Sequence, residues 1–223
     1  TVTNAGGCTD TESVGVTVSN CGCNNPALAS ITPASGSVCG TTPQTFTITL
    51  SGGATSATIS SDGSGSLSVT NISASGDVIY TPSATDFGNT ITITIVTNDP
   101  DGTGVLCSSF TTTASVTVNA TPTASISGTT TYCVGDAASS LTASGGSTYL
   151  WDNGTASASI TPTTNTAGNT TYTVTVTNAS GCTDTESISV TVNNSPTATI
   201  TGTNTYCLGD AASTLTASGG STY

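Results

Sequence analysis

Two carboxylates recur at a fixed spacing. Asp184 and Glu186 stand two residues apart, and the same pair returns as Asp10 and Glu12. On a β-strand such neighbours share one face at about 7 Å, near the separation at which the paired carboxyl groups of a glycosidase flank a sugar bond. The flanking alternation argues against that chemistry. Asp184 and Glu186 have the parity of Ile188, Val190 and Val192, so a continuous strand would turn two unpaired carboxylates towards the core, at a large desolvation cost. The expected arrangement is a loop, or a bulge before Ser187, with the pair serving a repeat junction or a cation.

A second acidic candidate is the turn Asn98-Asp99-Pro100-Asp101-Gly102. Asp99 and Asp101 supply oxygen donors of the kind calcium prefers, yet the turn lacks the third acidic position and distal Glu of an EF-hand loop. A plain Asp-Gly turn is the simpler reading. Gly135-Asp136 and Gly209-Asp210 are likewise turn signals first and ligands second.

The eight cysteines are the other reactive groups. With no His in the chain, and Cys-x-Cys at Cys21 and Cys23 instead of finger spacing, zinc and haem ligation are disfavoured and disulfides in an oxidising compartment preferred. No Lys or Arg is present either, so the chain offers no basic partner for an oxyanion or a phosphate. No catalytic residue and no cofactor beyond a possible calcium are expected, and the chain is read as a non-enzyme.

Trp151, the only tryptophan, follows Tyr149 at strand spacing. It reads as a core aromatic before it reads as a sugar-stacking platform. Asn-x-Ser/Thr triplets begin at Asn71, Asn119, Asn153, Asn169, Asn178 and Asn193, but a chain this rich in Ser and Thr generates them by chance. The Thr-x-Thr runs have the same explanation, although they resemble ice-binding surfaces.

The elements that must carry these residues are repeated. Residues 121–149 recur at 195–223 with 23 of 29 positions identical at a shift of 74, and residues 1–18 match 175–192 at a shift of 174. The chain is therefore a tandem array, read as an excerpt of a longer polypeptide. Its expected segments are the end of one repeat (1–20), a longer repeat with a Cys-x-Cys insertion (21–119), a short repeat (120–193) and the opening of another (194–223). Repeat phase puts one cysteine early in each unit, at Cys39, Cys133 and Cys207, and one late, at Cys8, Cys107 and Cys182. Pairing within each repeat gives Cys39 with Cys107 and Cys133 with Cys182. Cys8 and Cys207 are then orphans whose partners lie beyond the excerpt, and Cys21 and Cys23 stay unassigned in the insertion.

Thr alternates with Ile, Val, Tyr and Leu in TFTITL, TITITIV and TYTVTVT, which is the period of a half-buried strand. Strands are expected near 45–50, 56–60, 66–70, 77–81, 90–97 and 111–118 in the longer repeat. In the short one they fall near 123–127, 139–143, 147–151, 157–161, 171–177 and 187–193. Short strands, frequent Gly, Asn and Pro turns and no helical period predict an all-β fold of tandem immunoglobulin-like (PKD-like) antiparallel sandwiches. Tyr172, Val174 and Val176 should face inward, opposite Ile188, Val190 and Val192. Short Pro-containing linkers between such units predict an extended rod.

The net charge of -12, with no basic residue, disfavours nucleic acid and anionic membranes as partners. No apolar run approaches the roughly 18 residues that span a bilayer, so this segment is not expected to cross one.

The stretches STYLWDNGTASASITPTT, AGNTTYTVTVTNASGCTDTESISVTV and SGTTTYCVGDAASSLTASGG resemble the Ig-like repeats of giant surface adhesins in gliding Bacteroidota. VIYTPSATDFGNTITITIVTNDPDGTGVLCSSF is similar to PKD-like repeats of the same proteins. The resemblance implies type IX export, display as outer-membrane-attached filaments, and adhesion to surface polysaccharide or a substratum during gliding. Copies of the chain itself are further candidate partners. The expectation is a stalk segment of a secreted adhesin. Its rivals are a spacer or carbohydrate-binding module of a secreted polysaccharide-degrading enzyme, and an ice-binding adhesin repeat.

Overall fold

The structure is a computed structural model that describes residues 1–11, 22–101 and 106–222. Residues 1–11 hold a small antiparallel ladder of β1 (Val2–Thr3) and β2 (Thr9–Asp10). The longer repeat continues through β3 (Ala27–Thr32), β4 (Ser35–Cys39), β5 (Gln44–Gly52), β6 (Ala57–Ser61) and β7 (Ser66–Leu67). It closes with β8 (Asn71–Ile72), β9 (Gly76–Thr81), a 3-10 turn at Ala84–Asp86, β10 (Thr90–Thr97) and β11 (Thr111–Asn119). The short repeat contains β12 (Ser125–Ser127), β13 (Thr131–Cys133), β14 (Leu141–Ser144), β15 (Thr148–Trp151), β16 (Ser159–Ile160), β17 (Gly168–Thr177) and β18 (Thr183–Asn193). β19 (Thr199–Thr201) and β20 (Thr216–Ser218) follow. The chain divides into two compact units, Thr1–Asn119 and Ala120–Tyr223.

Each unit contains a two-sheet sandwich. In the first, a four-stranded sheet ordered β3-β5-β9-β7 faces a five-stranded sheet ordered β4-β11-β10-β6-β8. In the second, a three-stranded sheet ordered β12-β14-β16 faces a four-stranded sheet ordered β13-β18-β17-β15. The pairings are antiparallel, except that β4 runs parallel to β11 and β13 parallel to β18. A first strand that leaves one sheet to lie parallel to the last strand of the other, over hairpin-linked inner strands, is immunoglobulin-like topology.

The period-two pattern decides which side chains fill the two cores. Phe46, Ile48, Val78, Ile93, Ile95 and Val116 are fully buried in the first, and Leu141, Trp151, Val174, Val176 and Val190 in the second. Each such side chain contributes about 1.5–3 kcal/mol relative to its exposed state. The intervening Thr and Ser hydroxyls line the outer faces and meet in pairs across strands. Thr90 and Thr117 are 3.1 Å apart, Thr171 and Ser189 3.0 Å, and Thr173 and Ser187 2.8 Å.

The expected loop or bulge before Ser187 is absent. β18 is continuous and in register with β17, with Asp184 opposite Val176 and Glu186 opposite Val174. The carboxylates are tolerated because β13 pairs with β18 only at Thr191–Asn193, which leaves the first part of β18 as an open edge. Glu186 is exposed, Asp184 is half-buried and takes a hydrogen bond from the Ala124 amide at 2.8 Å, and Ile188 is half-buried and packs against the core.

Local structure repeats with sequence. The β19–β20 ladder pairs Ile200 with Ala217, as the β12–β14 ladder pairs Ile126 with Ala143. In the loop after β1, Asn4 Oδ1 accepts the amides of Gly6 and Cys8, while Asn178 Oδ1 accepts those of Ser180 and Cys182 in the loop after β17.

Candidate functional site

The cysteines are placed differently from the expectation. Cys107 is bonded to Cys23, with Cα atoms 4.9 Å apart, and so is not the partner of Cys39. Cys133 has an exposed free thiol, as do Cys8 and Cys207, so Cys133 is not bonded to Cys182. Cys39 and Cys182 are each engaged in a disulfide. The pairings drawn from repeat phase fail because the early and late cysteines of one repeat sit at opposite ends of its sandwich. Cys39 is level with Asn119 at the end of β11, whereas Cys107 precedes the start of that strand. Cys21 and Glu12 lie outside the described residues.

The bond to Cys23 closes the segment leading into β3 against the segment leading into β11. Beside it is a hollow of about 430 Å³ whose lining includes Asn24, Asn25, Pro100 and Asp101. Asp101 Oδ2 accepts the Cys107 amide at 3.1 Å, and Asp99 Oδ1 accepts the Asp101 amide at 3.3 Å. The hydrogen bond between the two carboxyl groups raises the pKa of Asp99 and lowers that of Asp101. The two residues are brought together as the turn required, but among the described residues no group of three or more His, Cys, Asp or Glu side chains could hold a metal.

The acidic residue that sequence reading passed over is Asp86. It is 2% exposed, and its carboxylate accepts the amides of Ser64 and Ser83 and the hydroxyl of Tyr80, each at 2.8 Å, with the Ser83 hydroxyl at 3.2 Å. Burial alone would raise its pKa, but these donors outweigh burial and hold it below the ordinary carboxylate value. Burial, then donation to Asp86, pushes the Tyr80 phenol up to about 12. A neutral phenol on a committed carboxylate is a structural brace between β9 and β10. The signal was Ser83-x-x-Asp86, an N-terminal capping pattern in front of a strand.

The short repeat braces the same connection by other means. Tyr172 on β17 accepts the Thr163 amide on its hydroxyl at 3.2 Å, a tyrosine corner in geometry. Thr164, also buried, donates to the Asp136 carbonyl at 2.6 Å. Asp136 and Asp210, read as turn residues, do that work: their carboxylates accept the amides of Cys133 and Cys207 at 2.7 Å each. Trp151 is 1% exposed and donates its indole N–H to the Ser157 carbonyl at 2.9 Å, so its ring belongs to the core.

Among the described residues no helix is long and apolar enough to cross a membrane. No known family and no curated protein matches the sequence. Solved structures with a general likeness include the chaperone–tip adhesin complex of CFA/I fimbriae, at 11% identity and TM-score 0.34 over 67% of this chain and 90% of that one. Fibronectin(III)-like modules of Clostridium thermocellum CbhA show 14% identity and TM-score 0.36 over 75% of this chain and 95% of that one. The N-terminal eight Ig domains of Down Syndrome Cell Adhesion Molecule give 11% and 0.43 over 77% of this chain and 25% of that one. At these values the likeness bears no functional reading, and the Ig-like assignment rests on strand order and register.

Proposed function

We propose that this chain is a structural stalk segment of a secreted, filamentous cell-surface adhesin of the SprB type, working in surface attachment and gliding motility. In this reading 1–20 closes one repeat, 21–119 and 120–193 are complete repeats, and 194–223 opens the next. The observation that carries it is the succession of Ig-like sandwiches, each with its own core, in which repeated residues such as Asn4 and Asn178 are spent on closing the fold. Disulfide-bonded cysteines add the chemistry of an oxidising, extracellular setting. Type IX export, attachment to the outer membrane and contact with surface polysaccharide, a substratum or copies of itself complete the proposal. A calcium ion at Asp99 and Asp101 would be an accessory of the turn.

Electron microscopy of cell-surface material tests the reading. A sandwich of this size spans on the order of 35–45 Å along its strands. Thin filaments with that axial repeat, lost together with attachment when the gene is disrupted, are the expected result. A disruption that leaves attachment intact and removes a secreted polysaccharide hydrolase would favour the enzyme module. Thermal hysteresis of the purified protein would favour ice binding.

A further inference from the structure

Cys133 and Cys182 belong to one repeat and are out of each other's reach. Cys133 ends β13 and is level with Asn193, the last residue of β18, whereas Cys182 immediately precedes Thr183, the first residue of that 11-residue strand. At about 3.3 Å per residue the separation along the strand is about 36 Å, against a Cα limit of about 7 Å for a disulfide. Yet Cys182 is disulfide-bonded and 1% exposed, while Cys133 keeps an exposed thiol. Cys133 is therefore not the partner of Cys182.

The longer repeat shows where a late cysteine finds its partner. Cys107 bonds Cys23 in the segment that leads into β3, the first strand of that sandwich. The loop of Cys182 is fastened to the corresponding place. Asn178 donates its backbone amide to the Cys182 carbonyl at 2.9 Å, accepts the Cys182 amide on its side chain at 3.0 Å, and donates Nδ2 to the Ala120 carbonyl at 2.8 Å. The insertion NCGCNNPALAS gives the longer repeat a cysteine at this point, and the incoming segment Ala-Thr-Pro-Thr-Ala of the short repeat has none.

We propose that Cys133 is one half of an inter-repeat staple whose other half is the late cysteine of the repeat opened by residues 194–223. Asn193, level with Cys133, is covalently joined to Asn194, the counterpart of Ala120 at the shift of 74. A late cysteine looped onto Asn194, as Cys182 is onto Ala120, arrives beside Cys133. The oxidant is a small-molecule disulfide of the glutathione class. The Cys133 thiolate attacks it and releases one thiol, the second cysteine's thiolate then displaces the other, and the two electrons and two protons leave on the released thiols. The staple rests on the repeat topology and holds whatever surface the array projects.

The test lengthens the full chain beyond Tyr223 with a second copy of residues 150–193, refolds it with oxidised glutathione, alkylates free thiols, and maps peptides without reduction, using thermolysin. Cys133, alkylated in the 223-residue chain, should become protected and its peptide should emerge joined to the appended cysteine. Cys133→Ser should return the appended cysteine to the alkylated state while amide protection of the appended strands persists. An appended cysteine joined to Cys207, or a Cys133 that stays alkylated while those strands are protected, overturns the proposal. The unlengthened chain gives a second readout independent of the appended fold. Cys182→Ser should leave the alkylation rate of Cys133 unchanged, and a peptide joining Cys133 to Cys182 in the parent chain would equally overturn it.

Discussion

The longer and the short repeat share a strand order, apart from the edge strands β7 and β8 of the longer one, but secure it differently. The longer repeat has a disulfide of its own between Cys23 and Cys107 and a buried carboxylate, Asp86, gathering four donors between β9 and β10. The short repeat replaces the second device with one phenol, Tyr172, on the Thr163 amide, and its two cysteines do not bond each other. One topology thus accommodates a strongly polar brace or a weak one, provided the alternating apolar residues fill the space between the sheets.

The largest asymmetry should come from the disulfide. Cys23→Ser removes a link across a sequence separation of 84, which in the chain-entropy account costs about 4 kcal/mol. Hydrogen exchange on the full chain should show protection falling in β3–β11 and unchanged in β12–β18. Equal loss in both units would mean that the two do not unfold independently.

Asp86→Ala comes next. Four donors lose a buried acceptor, at an expected cost of about 3 kcal/mol, read as a lower melting transition for the first unit alone. Asp86→Asn should recover only part of it, because one carboxylate oxygen becomes a donor facing donors.

The same brace makes the first unit pH-sensitive at both extremes. The Asp86 pKa is depressed on folding, so its contribution is present above the ordinary value of 3.8 and is lost as pH falls through the folded value. The Tyr80 pKa is raised, so its contribution is present below 10.0 and is lost as pH rises towards about 12. Asp86→Ala should flatten the acid arm of the first unit's melting profile, and Tyr80→Phe the alkaline arm.

Tyr172→Phe strikes the short repeat only, at about 1 kcal/mol for one hydrogen bond. A cost as large as that of Asp86→Ala would erase the proposed difference between the braces. Calcium should move either unit least, since Asp99 and Asp101 supply part of a coordination shell. A melting rise of many degrees with calcium, abolished by Asp101→Ala, would show a true metal site.

Much of the sandwich was legible because Thr alternates with Ile and Val over long runs: β10 occupies Thr90–Thr97, and β17 and β18 carry Tyr172, Val174, Val176, Val190 and Val192 inward. β4 and β13 were not legible, since each is short and exists through parallel pairing with a strand far along the chain. The cysteine pairing was misread for the same reason: repeat phase says which cysteines are equivalent, and only the parallel pairings of β4 with β11 and β13 with β18 show that the early and late cysteines of one repeat lie at opposite ends. Asp86 was hidden because its donors come from two segments, Ser64 on one and Tyr80 and Ser83 on the other. The Asp99 and Asp101 turn was legible as a turn, and its partner, the Cys107 amide, was not.

The parallel pairings of β4 with β11 and β13 with β18 also govern how each repeat responds to traction. Tension on the chain pulls the first of these strands back towards the point of arrival and the last towards the point of departure, so the ladder between them is loaded in shear. Its bonds, among them the Thr191 amide to the Thr130 carbonyl at 2.8 Å and the Val134 amide to the Asn193 carbonyl at 2.9 Å, must yield together instead of unzipping one at a time. A tether built of such units would hold its length under drag and give way in discrete steps, one sandwich at a time.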